Sequence, residues 1–102
     1  MRQFDVYPNP STAARPFAPY VVVLQSQYLS GLDTVVVAPL VNDAEPELAP
    51  LDVPVDFSGE KFALAVAELG GVERSALRRR SGDLVAYEDA IRRALDRLFT
   101  GF

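Results

Sequence analysis

Two β-branched runs set what this chain can become: residues 20–25 read YVVVLQ and residues 34–40 read TVVVAPL. Side chains branched at Cβ lose rotamer freedom in a helix and pack well on a pleated surface, so these runs are strands buried in a sheet. Residues 26–33 (SQYLSGLD) make the turn between them, with Gly31 inside it. Upstream, residues 3–7 (QFDVY) alternate, with Phe4 and Val6 on one face and Asp5 and Tyr7 on the other, as a short first strand does. Pro8, Pro10, Pro16 and Pro19 then forbid a regular ladder, so residues 8–19 form a long loop, either a binding loop or a simple link. Residues 42–50 are acidic and broken by proline, a second loop. Residues 53–57 and 61–67 flank Ser58-Gly59-Glu60 as the arms of a hairpin. Gly70-Gly71 breaks the chain again, and residues 72–80 read as a last strand or as irregular chain.

One helical period follows. Leu84, Tyr87, Ile91, Leu95, Leu98 and Phe99 recur close to every 3.6 residues, which predicts a helix over 84–99. Asp83 stands where an N-cap belongs and Gly101 where a helix stops. The opposite face pairs Glu88 with Arg92 and Asp89 with Arg93, each worth a few tenths of a kcal/mol. Many strands followed by one terminal helix give an α+β, mostly β class: a small antiparallel barrel or curled sheet with a helix packed on it. The 102 residues suit one domain, 1–102. A chain this short buries only roughly 60–70% of its unfolded surface, which argues for a second copy.

Absent residue types narrow the chemistry. The chain has no Cys and no His, and Lys61 is its only lysine. Disulfides, thiolate sites, the usual neutral-pH base and the commonest metal ligand are gone, so neither enzyme nor cofactor nor metal is expected. Asp43, Glu45 and Glu47 lack the spacing of a cation loop and enclose Pro46. Net charge is −4, split unevenly: residues 1–60 carry 2 basic and 8 acidic side chains, residues 61–102 carry 8 and 6. An acidic half disfavours wrapping around phosphate backbones. With no leader and no long apolar stretch, the chain is expected to be soluble and cytoplasmic, without membrane contact.

Four segments together resemble the CcdB toxin family: Gln3-Phe4-Asp5-Val6-Tyr7, Leu24-Gln25-Ser26, Val37-Ala38-Pro39-Leu40, and the terminal Leu98-Phe99-Thr100-Gly101-Phe102. The resemblance implies an SH3-like antiparallel barrel with a C-terminal helix, assembled as a homodimer. It implies a toxin that poisons DNA gyrase beside the A subunit. A cognate CcdA-like antitoxin would neutralise it and repress the shared operon with it, so DNA is reached only through the antitoxin. Gyrase contacts would fall on Thr100, Gly101 and Phe102, with Phe99, Asp96, Ser26, Tyr28 and Leu29 beside them. Thr100 departs from the family, which carries Trp there; Thr cannot fill a Trp pocket, so gyrase poisoning is expected to be weaker, aimed at a different gyrase, or lost.

Other residues stay open between two readings. Phe99 and Phe102 are either an apolar tip shown to a partner or rings tucked under the helix. Arg78, Arg79 and Arg80 either dock an acidic antitoxin tail or form a solvated, charge-blunted turn or edge. Arg15 and Phe17 belong either to an antitoxin-binding loop or to a mere link. Tyr28 and Leu29 are an interface or a barrel plug. Two alternatives to a gyrase poison remain. One is a non-toxic CcdB-like protein that only pairs with an antitoxin, suggested by Thr100. The other is a MazF-like endoribonuclease on the same barrel, disfavoured because that family's Gly-Asp start and basic proline-glycine loop are not seen.

Overall fold

The computed structural model describes residues 1–29, 31–42 and 51–101. The acidic segment from Asp43 through Glu47, Ser30 in the first turn and the terminal Phe102 lie outside the described residues. Among the described residues seven strands make one antiparallel sheet: β1 (Asp5–Pro8), β2 (Tyr20–Val23), β3 (Thr34–Asn42), β4 (Asp52–Phe57), β5 (Glu60–Ala65), β6 (Gly70–Glu73) and β7 (Gly82–Asp83). The order is β4-β5-β3-β2-β1-β7, with β6 also on β3. Among the described residues one α-helix, α1 (Glu88–Thr100), follows. The mostly β, α+β class with a C-terminal helix is what the sequence indicates.

The valine runs are unbroken because both faces of the sheet are covered. Val6, Val22, Leu24, Ala38, Leu40, Phe62 and Leu64 pack with Leu84, Ile91 and Ala94 on the helix side. Tyr7, Val21, Val23, Val35 and Val37 gather on the other face under Leu77. Thus Phe4 and Val6 do part from Tyr7, as the alternation predicts, yet Asp5 is buried too, at 4% exposure.

β3 changes partner along one edge. Its first half pairs with β6, from Thr34↔Glu73 to Val37↔Gly70, and its end pairs with β5, from Leu40↔Leu64 to Asn42↔Phe62. Pro39 falls in the gap between the two ladders, where a strand can forgo a ladder N–H, which explains a proline in a central strand. Gly70 and Gly71, read from sequence as a break, are instead paired residues of β6: Val36 and Val37 opposite them supply the ladder that glycine cannot specify alone. Beyond Glu73 a 3-10 turn, Arg74–Ala76, is followed by irregular chain until Gly82. The hairpin turn carries positive φ at Ser58 (54°) and Gly59 (81°), the two-residue turn that matches strand twist.

The sheet curls into a half-barrel. β4 and β7 are its opposite edges, yet they meet through a side chain: a Cβ at Gly82 would lie 2.8 Å from the Phe57 ring. That ring also meets Tyr20 edge-on, with centroids 5.1 Å apart. On the β4 edge the Asp56 N–H donates to the Tyr87 hydroxyl at 2.9 Å. The helix proper starts later than the periodicity predicts. Val85–Tyr87 is a 3-10 turn, and Asp83 Oδ1 accepts from the Val85 N–H at 3.0 Å rather than capping α1. Glu88–Arg92 pairs at 3.3 Å; among the described residues no ion pair joins Asp89 to Arg93. Gly101 stops the helix in the left-handed conformation, φ 79°. None of the described helices is long and apolar enough to cross a membrane.

Candidate functional site: helix tip and arginine-lined groove

Helix α1 ends in an exposed aromatic. Phe99 is 70% exposed, Asp96 and Thr100 are also exposed, and the Thr100 hydroxyl donates back to the Asp96 carbonyl. The Gly101 N–H donates to the Arg97 carbonyl at 3.1 Å, so the cap turns the chain away from the helix axis at a fixed point. Phe99, Asp96, Arg92 and Glu88 follow one another at three- and four-residue steps, one stripe about 16 Å long.

That stripe leads to a groove. Ser26 and Tyr28 come beside Val85, Glu88 and Arg92 at the start of the helix, not beside its end. The Ser26 hydroxyl accepts the Tyr28 N–H at 3.2 Å and its carbonyl accepts the Leu29 N–H, which folds the turn and leaves Tyr28 90% and Leu29 51% exposed. The sequence-level site therefore divides into a tip (Asp96, Phe99, Thr100, Gly101) and a turn (Ser26, Tyr28, Leu29).

Behind the turn sits a polar network absent from the sequence reading. Asp5 Oδ1 accepts from Arg80 Nε at 2.9 Å and Oδ2 accepts from the Arg2 N–H at 2.8 Å. Arg80 reaches Asp83 as well, at 3.0 Å. The hydrogen bond to Asp5, reinforced by that carboxylate's charge, raises the Arg80 guanidinium above its ordinary range. Arg92 lies 5.5 Å over the Phe4 ring and donates to Gln3 at 3.2 Å. Phe4 itself holds φ 73°, strained for a bulky residue and kept there by hydrogen bonds from its N–H to Val23 and from Leu84 to its carbonyl. Arg92 and Gln3, 89 residues apart, thus share a groove of about 450 Å³ with Arg2, Asp5, Arg80, Asp83 and Glu88.

The remaining candidates scatter. Arg15 donates to the Asn9 carbonyl at 2.7 Å and Asn42 donates to Pro16 and Phe17, so the proline loop is tied down while Phe17 stays 74% exposed. Of the three consecutive arginines, Arg80 is held by carboxylates, whereas Arg78 and Arg79 are exposed on a bend. The one sequence signal for the groove was Asp5, a carboxylate in an otherwise apolar strand.

Comparison places these features among known proteins. The family described as CcdB protein matches residues 3–101. No curated protein matches the chain in sequence. The fold is shared with the Mycobacterium tuberculosis toxin MazF-mt6: TM-score 0.67, 22% identity, 78% of this chain and 84% of that one. An endoribonuclease solved with its cognate antitoxin, from a mycobacterial species, gives TM-score 0.72 at 12% identity over 96% and 93%. A crystal structure of an Mtb toxin gives 0.67 at 26% over 78% and 91%.

The expectation that the chain is not an enzyme is overturned here. A neighbour covering 96% of the chain is an endoribonuclease on the same barrel. The expectation rested on the absence of His and Cys and on a single lysine, Lys61. Phosphodiester chemistry needs only a base and a cationic stabiliser, and folding brings Arg2 and Asp5 to the same groove as Arg80, Asp83, Glu88 and Arg92.

Proposed function

Because the chain belongs to the CcdB family, we propose that it is the toxin of a toxin–antitoxin module, poisoning DNA gyrase as a homodimer beside the A subunit. A cognate antitoxin neutralises it, and the two repress their operon, with DNA contacted through the antitoxin. The observation that carries this reading is a family match running through Gly101, so that the exposed Phe99–Gly101 tip lies within it. An exposed aromatic on a capped, rigid helix end is a good anchor for a partner's pocket. Tyr28 and Leu29 offer further exposed apolar surface on the turn. Phe102 belongs to the same proposal on sequence alone.

The shared barrel of an endoribonuclease supports a second reading, RNA cleavage. One experiment separates them. The purified chain is incubated with gyrase, ATP and supercoiled plasmid, and in parallel with single-stranded RNA. Trapped linear DNA after detergent treatment, weakened at least tenfold in Phe99→Ala, is the expected result. RNA cut at defined positions without gyrase, and no linear DNA, replaces the first reading with the second.

A further inference from the structure

An open sheet edge recruits a further strand unless something blunts it. Two edges of this sheet are blunted. On β4, Pro54 has no N–H to offer, and the Asp56 N–H, two residues on along the same edge, is taken by the Tyr87 hydroxyl at 2.9 Å. β7 is only two residues long and carries Asp83. The outer edge of β6 has neither device. Its residues are Gly70, Gly71, Val72 and Glu73, without proline, and a Cβ at either glycine would meet nothing within 4 Å. The register fixes which groups face outward. The Arg74 N–H donates to the Asp33 carbonyl at 2.8 Å, and Val72 and Gly70 turn the same way, opposite Val35 and Val37. Gly71 and Glu73 therefore aim their N–H groups, and Gly71 its carbonyl, away from the sheet, where no described residue bonds to them.

Main-chain donors and acceptors at strand spacing select an extended backbone before any side chain is considered. Side chains then narrow the choice. Gly71 leaves its face bare, which suits a large aromatic opposite it. Glu73 shares that face, is exposed, and enters no ion pair among the described residues; Arg74 beside it donates to the Leu32 carbonyl at 2.9 Å instead. A cation opposite Glu73 completes a cross-strand pair. In an antiparallel arrangement the residue opposite Glu73 comes two before the residue opposite Gly71. We infer that the β6 edge docks an extended segment of a partner protein in which a basic residue stands two positions before an aromatic one. The Gly71 N–H and carbonyl and the Glu73 N–H bond the segment's backbone, the aromatic ring covers Gly71, and the cation meets Glu73. No residue of this edge belongs to the helix tip or to the turn, so the docking does not depend on the gyrase reading.

The test uses the full chain and a fluorescein-labelled heptapeptide, threonine-valine-arginine-valine-phenylalanine-valine-threonine, read by anisotropy. Two altered peptides accompany it. N-methylation at the phenylalanine removes the N–H that donates to the Gly71 carbonyl and should weaken binding roughly tenfold. Glutamine in place of arginine should weaken it roughly threefold. Gly71→Pro deletes the outward N–H without taking a bond from the β3 ladder, so it should weaken the parent peptide roughly tenfold with the circular dichroism unchanged. Should that variant fail to fold, Glu73→Gln, a change at an exposed side chain, carries the test with the N-methylated peptide: it should erase the preference for arginine over glutamine. No binding of the parent peptide at millimolar concentration, equal binding of the N-methylated one, or an arginine preference retained in Glu73→Gln would each overturn the inference. So would a folded Gly71→Pro chain at half the wild-type mass in sedimentation equilibrium with the peptide unbound by wild type, which would give the edge to a second copy.

Discussion

Asp5 is where a single residue matters most. Its side chain is 5% exposed and both oxygens accept hydrogen bonds, one from a cation. Replacing it leaves the Arg2 N–H to water and Arg80 with Asp83 alone, so Asp5→Ala should cost about 2 kcal/mol in urea unfolding. The Lys61–Asp56 pair, with side chains 79% and 67% exposed, is screened, and Asp56→Ala should match wild type in the same assay. Tyr7 is a second case. Burial, with the Asp5 charge adding, pushes its phenol above the ordinary value near 10. The folded chain keeps that proton where the unfolded chain releases it. The stabilisation is therefore full below about pH 10 and declines as pH rises further. Denaturant titrations should show the wild-type midpoint falling more steeply above pH 10 than that of Tyr7→Phe; parallel curves would refute this.

At the scale of elements, the half-barrel is closed by a ring and not by a ladder. Gly82 leaves space for Phe57, which Tyr20 holds edge-on, so the ring has little room to retreat. Gly82→Ala should cost about 2 kcal/mol through this clash. An unchanged thermal midpoint would mean that the edges part without loss. The helix end behaves oppositely. Phe99 and Thr100 are exposed, and the last α1 side chain packed on the core is the half-buried Leu98. Removing Gly101 and Phe102 should leave the melting curve nearly unchanged while abolishing gyrase trapping. A truncated chain that unfolds would place the tip in the core.

The whole molecule exposes Phe17, Tyr28, Leu29, Leu32, Val85 and Phe99, much apolar surface for 102 residues. Such surface marks interaction sites. A self-associating chain gains stability by mass action, so the thermal midpoint should rise with protein concentration and sedimentation equilibrium should return twice the chain mass. A concentration-independent midpoint at the monomer mass would exclude the homodimer.

By itself, the sequence determined the elements whose signal is local. Valine runs made β2 and β3, a Ser-Gly turn made the β4–β5 hairpin, the 3.6 period made α1 and Gly101 ended it, because rotamer freedom, positive φ and amphipathic spacing act within a few residues. The terminal segment that resembles CcdB was legible for the same reason. Tertiary structure decided the rest. Gly70 and Gly71 became strand only because β3 offered a free edge, and Pro39 was tolerated only because two ladders left a gap. Asp5 met Arg80 across 75 residues, and Arg92 met Gln3 across 89. Contacts at such separation are set by how the sheet curls, which no local pattern encodes, and so the groove came into view only once the chain was folded.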